Sequence, residues 1–548
     1  MRGASFSKDG ENSAGSSSGG EGLTPSGSVT RRGLITSASV LAAGSAQPQM
    51  AQAAEPIRRR ADVIIVGGGL SGLSAARALV AHNRSVIVLE ARDRVGGRTW
   101  TKNVPGGGAW IDMGGQFVGP GMDRILALAK AVGVTTFPSY HQGNDVFVFQ
   151  GKRSESPAGT FALPEADMEE LGAAFEKIDA FAKQVPVEEP GRAPLAAEWD
   201  SQTVATWMQD NIKSALARFV MRAGILGYFA VDPQDMSFLH LLFYVSAGGG
   251  IEVLHKSGLA ERFDGGAQVV SDRVAQQLGG RVMLKRPVRE IDQSGKIMVV
   301  KTDQGRFEAR RVIVALPPTL AGRIFYRPGL PANRDGLTQR AFMATTIKCH
   351  AVYPTPFWRE KGLRGQVISD ETVVDVTHDN SPPSGQPGIM AGFLFGKHGR
   401  AWADQPEADI RRTVLAAFGK YFGPEAASPT EFYIANWPSE IWSRGCYSGI
   451  MPTGVWTGYP NALRTPAGRI HWAGTETATG WCQYMDGCRE VGRARGRGGP
   501  PETVAVHGVV IMWLSAVIMQ ERHERVPARQ RGHRRFRSWR QGRRHDWR

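Results

Sequence analysis

Ala61-Asp62-Val63-Ile64-Ile65-Val66 is a short apolar run that predicts a buried strand. Gly67-Gly68-Gly69-Leu70-Ser71-Gly72 follows without a gap, and Leu73 to Leu79 has the spacing and residue types of a helix. A second apolar run, Ser85 to Leu89, ends on Glu90, 18 residues after Gly72. Further along, Val312 to Leu316 predicts another buried strand, stopped by Pro317-Pro318, and Ile347 to Tyr353 predicts a strand with Lys348 inside it. A helical block contains Thr203 to Tyr228.

The first three elements make a strand–helix–strand unit with its glycines in register. Gly67 turns the chain, Gly69 lets a pyrophosphate approach the backbone, and Gly72 lets helix and strand pack closely. The helix N-terminus offers amide donors to phosphate. Glu90 is placed to take ribose hydroxyls, and an acid there disfavours a 2′-phosphate. This pattern alone does not separate FAD from NAD.

Composition changes the picture mainly at the ends. The chain has 548 residues and a net charge of +15, of which Glu521 to Arg548 contributes +8 through 11 Arg, no Lys and 3 acids. A nucleic-acid role would rest on that tail alone, with no reader fold before it. Four cysteines, Cys349, Cys446, Cys482 and Cys488, are too few for a disulfide framework and lack zinc-site spacing. The first 28 residues hold 15 Gly or Ser and are expected to be disordered. Thr30-Arg31-Arg32-Gly33-Leu34-Ile35 then opens an uncharged stretch closing on Ala51-Gln52-Ala53, which resembles a twin-arginine export signal. Val504 to Met519 is an uncharged run of 16 residues, short for a membrane span. The atypical stretch 499–548 is read as disordered or frame-shifted rather than as an anchor.

Directly after Glu90 comes Arg92-Asp93-Arg94-Val95-Gly96-Gly97-Arg98-Thr99. With it the sequence resembles the flavin-containing monoamine oxidase family, over about residues 60 to 495. Asp112-Met113-Gly114-Gly115-Gln116-Phe117 resembles the family's segment beside the flavin, with Phe117 on the substrate path. Pro287-Val288 matches the strand whose backbone contacts the adenine, and Ile347-Lys348-Cys349 the strand bearing the catalytic lysine. Gly445-Cys446-Tyr447 resembles the segment whose Cys can bind the flavin. His471-Trp472-Ala473-Gly474-Thr475-Glu476, followed by Trp481, Tyr484 and Met485, resembles the C-terminal flavin signature.

The resemblance implies an α/β fold in which a Rossmann-like FAD domain (61–145, 260–340 and 446–498) is interleaved with a mixed α+β substrate domain (146–259 and 341–445). Residues 1–54 form the leader and signal. It implies FAD, with a link to Cys446 left open, held by Gly67, Gly69, Gly72, Glu90, Arg92, Arg98, Gly114, Gly115, Gln116, Val288, Cys446, Gly474, Thr475, Glu476 and Met485. Lys348, Tyr447 and Tyr484 are the implied catalytic residues, the two tyrosines caging the amine. The expected activity is oxidative deamination of a primary amine such as tyramine or phenethylamine, with oxygen as acceptor, in a protein exported by the twin-arginine machinery. No nucleic acid or metal is expected, and a homodimer stays open. A polyamine or putrescine oxidase, an L-amino-acid oxidase, and a decayed protein that only binds FAD remain as alternatives.

Overall fold

A computed structural model describes residues 57–160 and 163–489, and both the twin-arginine segment and the arginine-rich tail lie outside the described residues. The elements that build the site are, in chain order, β1 (Ile57–Val66), α1 (Leu70–Ala81), β2 (Val86–Leu89), β3 (Asn144–Phe149), α2 (Ala215–Phe229), α3 (Phe238–Gly248), β4 (Gly305–Val314), β5 (Thr346–Tyr353), β6 (Leu363–Ser369), β7 (Val376–Asp379), β8 (Gly388–Phe395) and β9 (Ile470–Trp472).

An 8-stranded sheet forms around β1, which pairs in parallel with β2 on one side and β4 on the other. β9 extends the parallel set by pairing with the Val312–Val314 end of β4. Strands covered on both faces must be apolar throughout, which is why Ile64, Ile65, Val66, Val312 and Val314 are all buried. The crossover α1 lies so close to the β1 turn that a Cβ on Gly72 would stand 1.9 Å from the Gly67 carbonyl oxygen. Gly67 itself has φ +107°, a turn conformation that favours glycine.

A second sheet of seven strands runs Glu431–Asn436, β5, β8, β7, β6, β3, Lys152–Pro157. It is antiparallel except where β6 meets β3. Its residues alternate between faces. Ile347, Cys349, Met390 and Leu394 pack with Ile410, Val414 and Phe418 of the helix Glu407–Phe422. The opposite face is left to the cavity described below. The helical block divides into Val204–Asn211 and α2, because Ser214 caps α2 by accepting from the Ala217 amide. Every residue of α3 except Ser246 is buried. Among the described residues no single helix is long and apolar enough to cross a membrane. Together the eight-stranded sheet, parallel around β1, and the largely antiparallel seven-stranded sheet give the α/β class that the sequence pattern implies.

Gly72→Ala tests the packing at the first turn. The added methyl cannot fit without moving α1 from β1, and overpacking of this kind costs about 3 kcal/mol. The variant is expected to show that loss in denaturant unfolding.

Candidate active site

One cavity of about 1100 Å³ runs from the carboxyl ends of the parallel strands to the free face of the seven-stranded sheet. At one end it is lined by Gly67, Gly69, Gly96, Gly97, Gly114, Gly115 and Gly474. Gly69 caps α1 without any side-chain bond to the first turn, so the amides of that turn are available to an anion. Glu90 is fixed beside them, accepting from the Gly68 amide at 2.6 Å and the Arg92 amide at 2.9 Å. A glycine floor, free helix amides and a carboxylate beside them fit an adenine dinucleotide.

Arg98 lines the cavity, and Glu476 faces it from behind the lining. They form a two-pronged ion pair, Nη1 to Oε1 at 2.6 Å and Nη2 to Oε2 at 3.1 Å, with the Glu476 side chain almost wholly buried. Arg98 also donates to the Tyr447 carbonyl at 2.8 Å, and Glu476 accepts from the Gly449 amide. Burial works against the Arg98 charge, but the facing carboxylate outweighs it and raises the guanidinium above its ordinary value. Arg92 is likewise engaged, with Glu440 and with Ser443 Oγ. The arginine turn therefore braces the cavity wall.

Lys348 points from β5 into the cavity and is 3% exposed. Its Nζ donates to the Asp112 carbonyl at 2.6 Å, to the Gly114 carbonyl at 3.0 Å and to Gln116 Oε1. Gln116 is held in turn by Asn380. Burial pushes the lysine down to about 7, with Arg262 adding to the effect and Asp112 opposing it. Three acceptors match the three N–H bonds of the charged form, and desolvation disfavours that form. Its charge therefore changes in the physiological range.

Tyr447 and Tyr484 both line the cavity. Tyr447 stands edge-on to Phe395 at 5.9 Å, and Tyr484 stacks on Tyr244 at 5.8 Å and stands edge-on to Trp481. Thr475 Oγ1 donates to the Tyr484 carbonyl at 2.7 Å, so the C-terminal signature holds the second tyrosine. Burial raises both phenols well above their ordinary values, keeping them protonated. Cys446 lines the same cavity; burial pushes its thiol up to about 12, against the pull of Arg98 and Lys348.

Most of the residues expected from sequence thus meet in one place, including Phe117, Gln116, Met485, Gly474 and Thr475. Three do not line the cavity. Gly72 lies under the first turn and Glu476 behind Arg98, as described. Val288 begins a strand of the first sheet, and the segment before it reaches the cavity edge through backbone bonds of Lys285 and Arg286 to Arg92 and Glu90. Several lining residues were not found from sequence: Arg364 and Gln366 on β6, His378 on β7, and Phe393 and Phe395 on β8. Only their period of two marked them, and that period does not say which face a strand turns to the cavity.

A family model for flavin containing amine oxidoreductases matches residues 70–495. The chain belongs to that family. The enzyme is 40% identical over 447 residues to an L-amino acid dehydrogenase of Synechocystis sp., across 79% of this chain and 93% of that protein. It is 36% identical to a probable flavin-containing monoamine oxidase A of Dictyostelium discoideum, across 79% of this chain and 95% of the other. The solved structure of a putrescine oxidase bound to putrescine superposes with a TM-score of 0.75 at 35% identity, covering 79% of this chain and 97% of that one. The enzyme is therefore a flavin-dependent amine oxidase with FAD as its cofactor.

The buried lysine gives a pH signature. Below pH about 7 Lys348 is protonated both folded and unfolded, so it adds no slope to stability. Between about 7 and 10.5 only the unfolded chain holds the proton, and rising pH favours the folded enzyme. Wild type should thus gain stability relative to Lys348→Met across that window, by up to about 1.4 kcal/mol per pH unit. Unfolding both proteins at a series of pH values checks this; a flat difference would show that the lysine titrates normally.

Proposed function

We propose that the enzyme oxidises a primary aryl-alkyl monoamine of the tyramine or phenethylamine kind, giving an aldehyde, ammonia and hydrogen peroxide. The carrying observation is the wall beyond the tyrosines. Phe395 meets Tyr447, and Phe393 stacks on Phe395 with centroids 5.2 Å apart, so an aromatic ring rather than a charge is accommodated there. Tyr447 and Tyr484 hold the amine nitrogen between their π faces, which attract its developing positive charge. The same apolar surroundings favour the neutral amine, the form whose lone pair is available. FAD supplies the two-electron acceptor, and oxygen restores it.

A second ammonium, as in a diamine, meets no buried carboxylate that lacks a partner. Among the described carboxylates lining the cavity, Glu90 is bonded to amides, Asp145 to Arg364, Asp179 to the Ile251 amide and Glu252 to Lys256, while Glu176 is exposed. The Phe357 to Leu363 segment, which resembles putrescine oxidases, is a brace: Trp358 and Arg359 both donate to Asp379. The L-amino-acid reading is the second one, favoured by the Synechocystis relative. It calls for a guanidinium free to meet the carboxylate, and Arg98 and Arg364 are each paired with an acid.

The deciding experiment is the visible spectrum of purified enzyme before and after anaerobic addition of phenethylamine, tyramine, putrescine or L-phenylalanine. The aryl-alkyl amines should bleach the oxidised-flavin band, and putrescine should not. Bleaching by L-phenylalanine alone would replace this reading with the second one. Acid precipitation of the same sample separates a Cys446 thioether, which keeps flavin in the pellet, from a free thiol.

The enzyme is further proposed to leave the cytoplasm already folded, on the strength of Arg31-Arg32 and the uncharged stretch behind them. Replacing both, Arg31→Lys and Arg32→Lys, should leave flavin-loaded enzyme in the cytoplasmic fraction of a bacterial host. Unchanged export of that variant would discard the route.

A further inference from the structure

The free face of the seven-stranded sheet presents two kinds of side chain to the cavity. Phe393, Val376 and Ile368 line it from β8, β7 and β6 in one cross-strand row. One register step along lies a polar row. Val367 pairs with Thr377 and Ile368 with Val376, and the same antiparallel register sets Gln366 opposite His378. Both side chains line the cavity.

His378 stands edge-on between Phe117 and Phe393, with ring centroids 5.8 Å from each. Among the described residues neither of its ring nitrogens has a hydrogen-bond partner. Burial, helped by Arg364 and Lys348, pushes it down to about 3, so the ring is a neutral imidazole with one donor and one acceptor. Gln366 uses its Oε1 to accept from Arg364 Nη2, which fixes the amide so that its NH₂ is the end left to donate. Arg364 is locked by Asp145, through Nε to Oδ1 at 2.6 Å and Nη2 to Oδ2 at 2.7 Å. The ion pair is neutral as a unit, so the row offers hydrogen bonds without net charge. β7 and β6 lie one and two strand spacings from β8, about 5 and 10 Å. Ring contacts lead from one end to the other: Tyr447 meets Phe395, Phe395 stacks on Phe393 at 5.2 Å, and Phe393 meets His378 at 5.8 Å, so the polar row lies beyond the aromatic wall.

We propose that His378 and Gln366 form a distal subsite that reads a hydroxyl on the substrate's aromatic ring. The hydroxyl oxygen accepts from the Gln366 amide, and the O–H donates a hydrogen bond to the acceptor nitrogen of the neutral His378 ring. Arg364 and Asp145 are positioning residues that hold the amide in its donating orientation. The assignment rests on the aryl-alkylamine reading above and narrows it to hydroxylated arylalkylamines. An unhydroxylated ring leaves both polar groups buried under it without partners, and that difference produces discrimination.

The test compares kcat/KM for tyramine and phenethylamine in wild type, Gln366→Leu and His378→Phe, all as holoenzyme. Wild type should favour tyramine, and the tyramine-to-phenethylamine ratio should fall about tenfold in each variant, the worth of one hydrogen bond to a buried group. A ratio unchanged in both variants would overturn the subsite. If neither amine is turned over, the aryl-alkylamine reading fails, and the subsite is judged by binding alone. There p-cresol should raise the Tm of wild-type holoenzyme more than toluene does, with the gap closing in His378→Phe. Equal shifts from the two compounds in wild type would overturn it.

Discussion

The site depends on one buried ion pair. Arg98 and Glu476 are separated by 378 residues in sequence, and their two parallel hydrogen bonds bring the arginine turn of the dinucleotide motif against the C-terminal signature. Each partner makes one further bond within the site: Arg98 donates to the Tyr447 carbonyl and Glu476 accepts from the Gly449 amide. Desolvating two charges is costly, and a paired set of this kind often adds little net stability over an apolar substitute. What it adds here is geometry. A planar fork meeting a planar carboxylate admits few orientations, so the backbone of Tyr447 is fixed relative to the glycine floor that receives the cofactor.

Lys348 is held by a contrasting logic. It has no carboxylate in a two-pronged embrace, only two carbonyls and an amide oxygen, and Arg262 lies close enough to oppose its charge. The surroundings are polar but incompletely matched. Arg262 is 2% exposed and bonds the Ser381 carbonyl, while its Nε and Nη2, the Asp112 Oδ2 and both ring nitrogens of His350 have no partner among the described residues. The lysine's own three N–H bonds are met, so it is burial, with Arg262 adding to it, that brings its ionisation into the working range. Two buried cations of one cavity thus behave oppositely: Arg98 is a permanent charge and Lys348 a titrating one.

How far the sequence could be read follows from the same physics. The parallel centre of the first sheet was legible because parallel strands buried on both faces are written as unbroken apolar runs, and because Gly72 must be glycine where a Cβ would strike the Gly67 carbonyl. The cofactor end of the cavity was legible because its contacts are local to short motifs. What joins those motifs was not, since nothing in Arg98 or Glu476 announces a partner hundreds of residues away. The arginines expected beside the cofactor also brace the wall, Arg98 on Glu476 and Arg92 on Glu440, and the Trp358-Arg359 segment is tied to Asp379. Arg364, Gln366 and His378 escaped notice because alternation is symmetric. It says that one face differs from the other without saying which is covered by the helix Glu407–Phe422.

That asymmetry between the two sheets explains how one scaffold can hold its cofactor tightly and still vary its substrate. Around β1 much of the lining is backbone, and at Gly67, Gly96 and Gly114 a Cβ would meet a backbone oxygen. Along β6, β7 and β8 the lining is side chain, and strand pairing fixes where each one points without fixing what it is. Exchanging Gln366 or His378 alters what the far end of the cavity accepts while leaving the register of the sheet, and hence Lys348 and the Arg98–Glu476 pair, in place. Chemistry is therefore held by contacts between distant motifs, and selectivity is carried by the alternate positions of a few neighbouring strands.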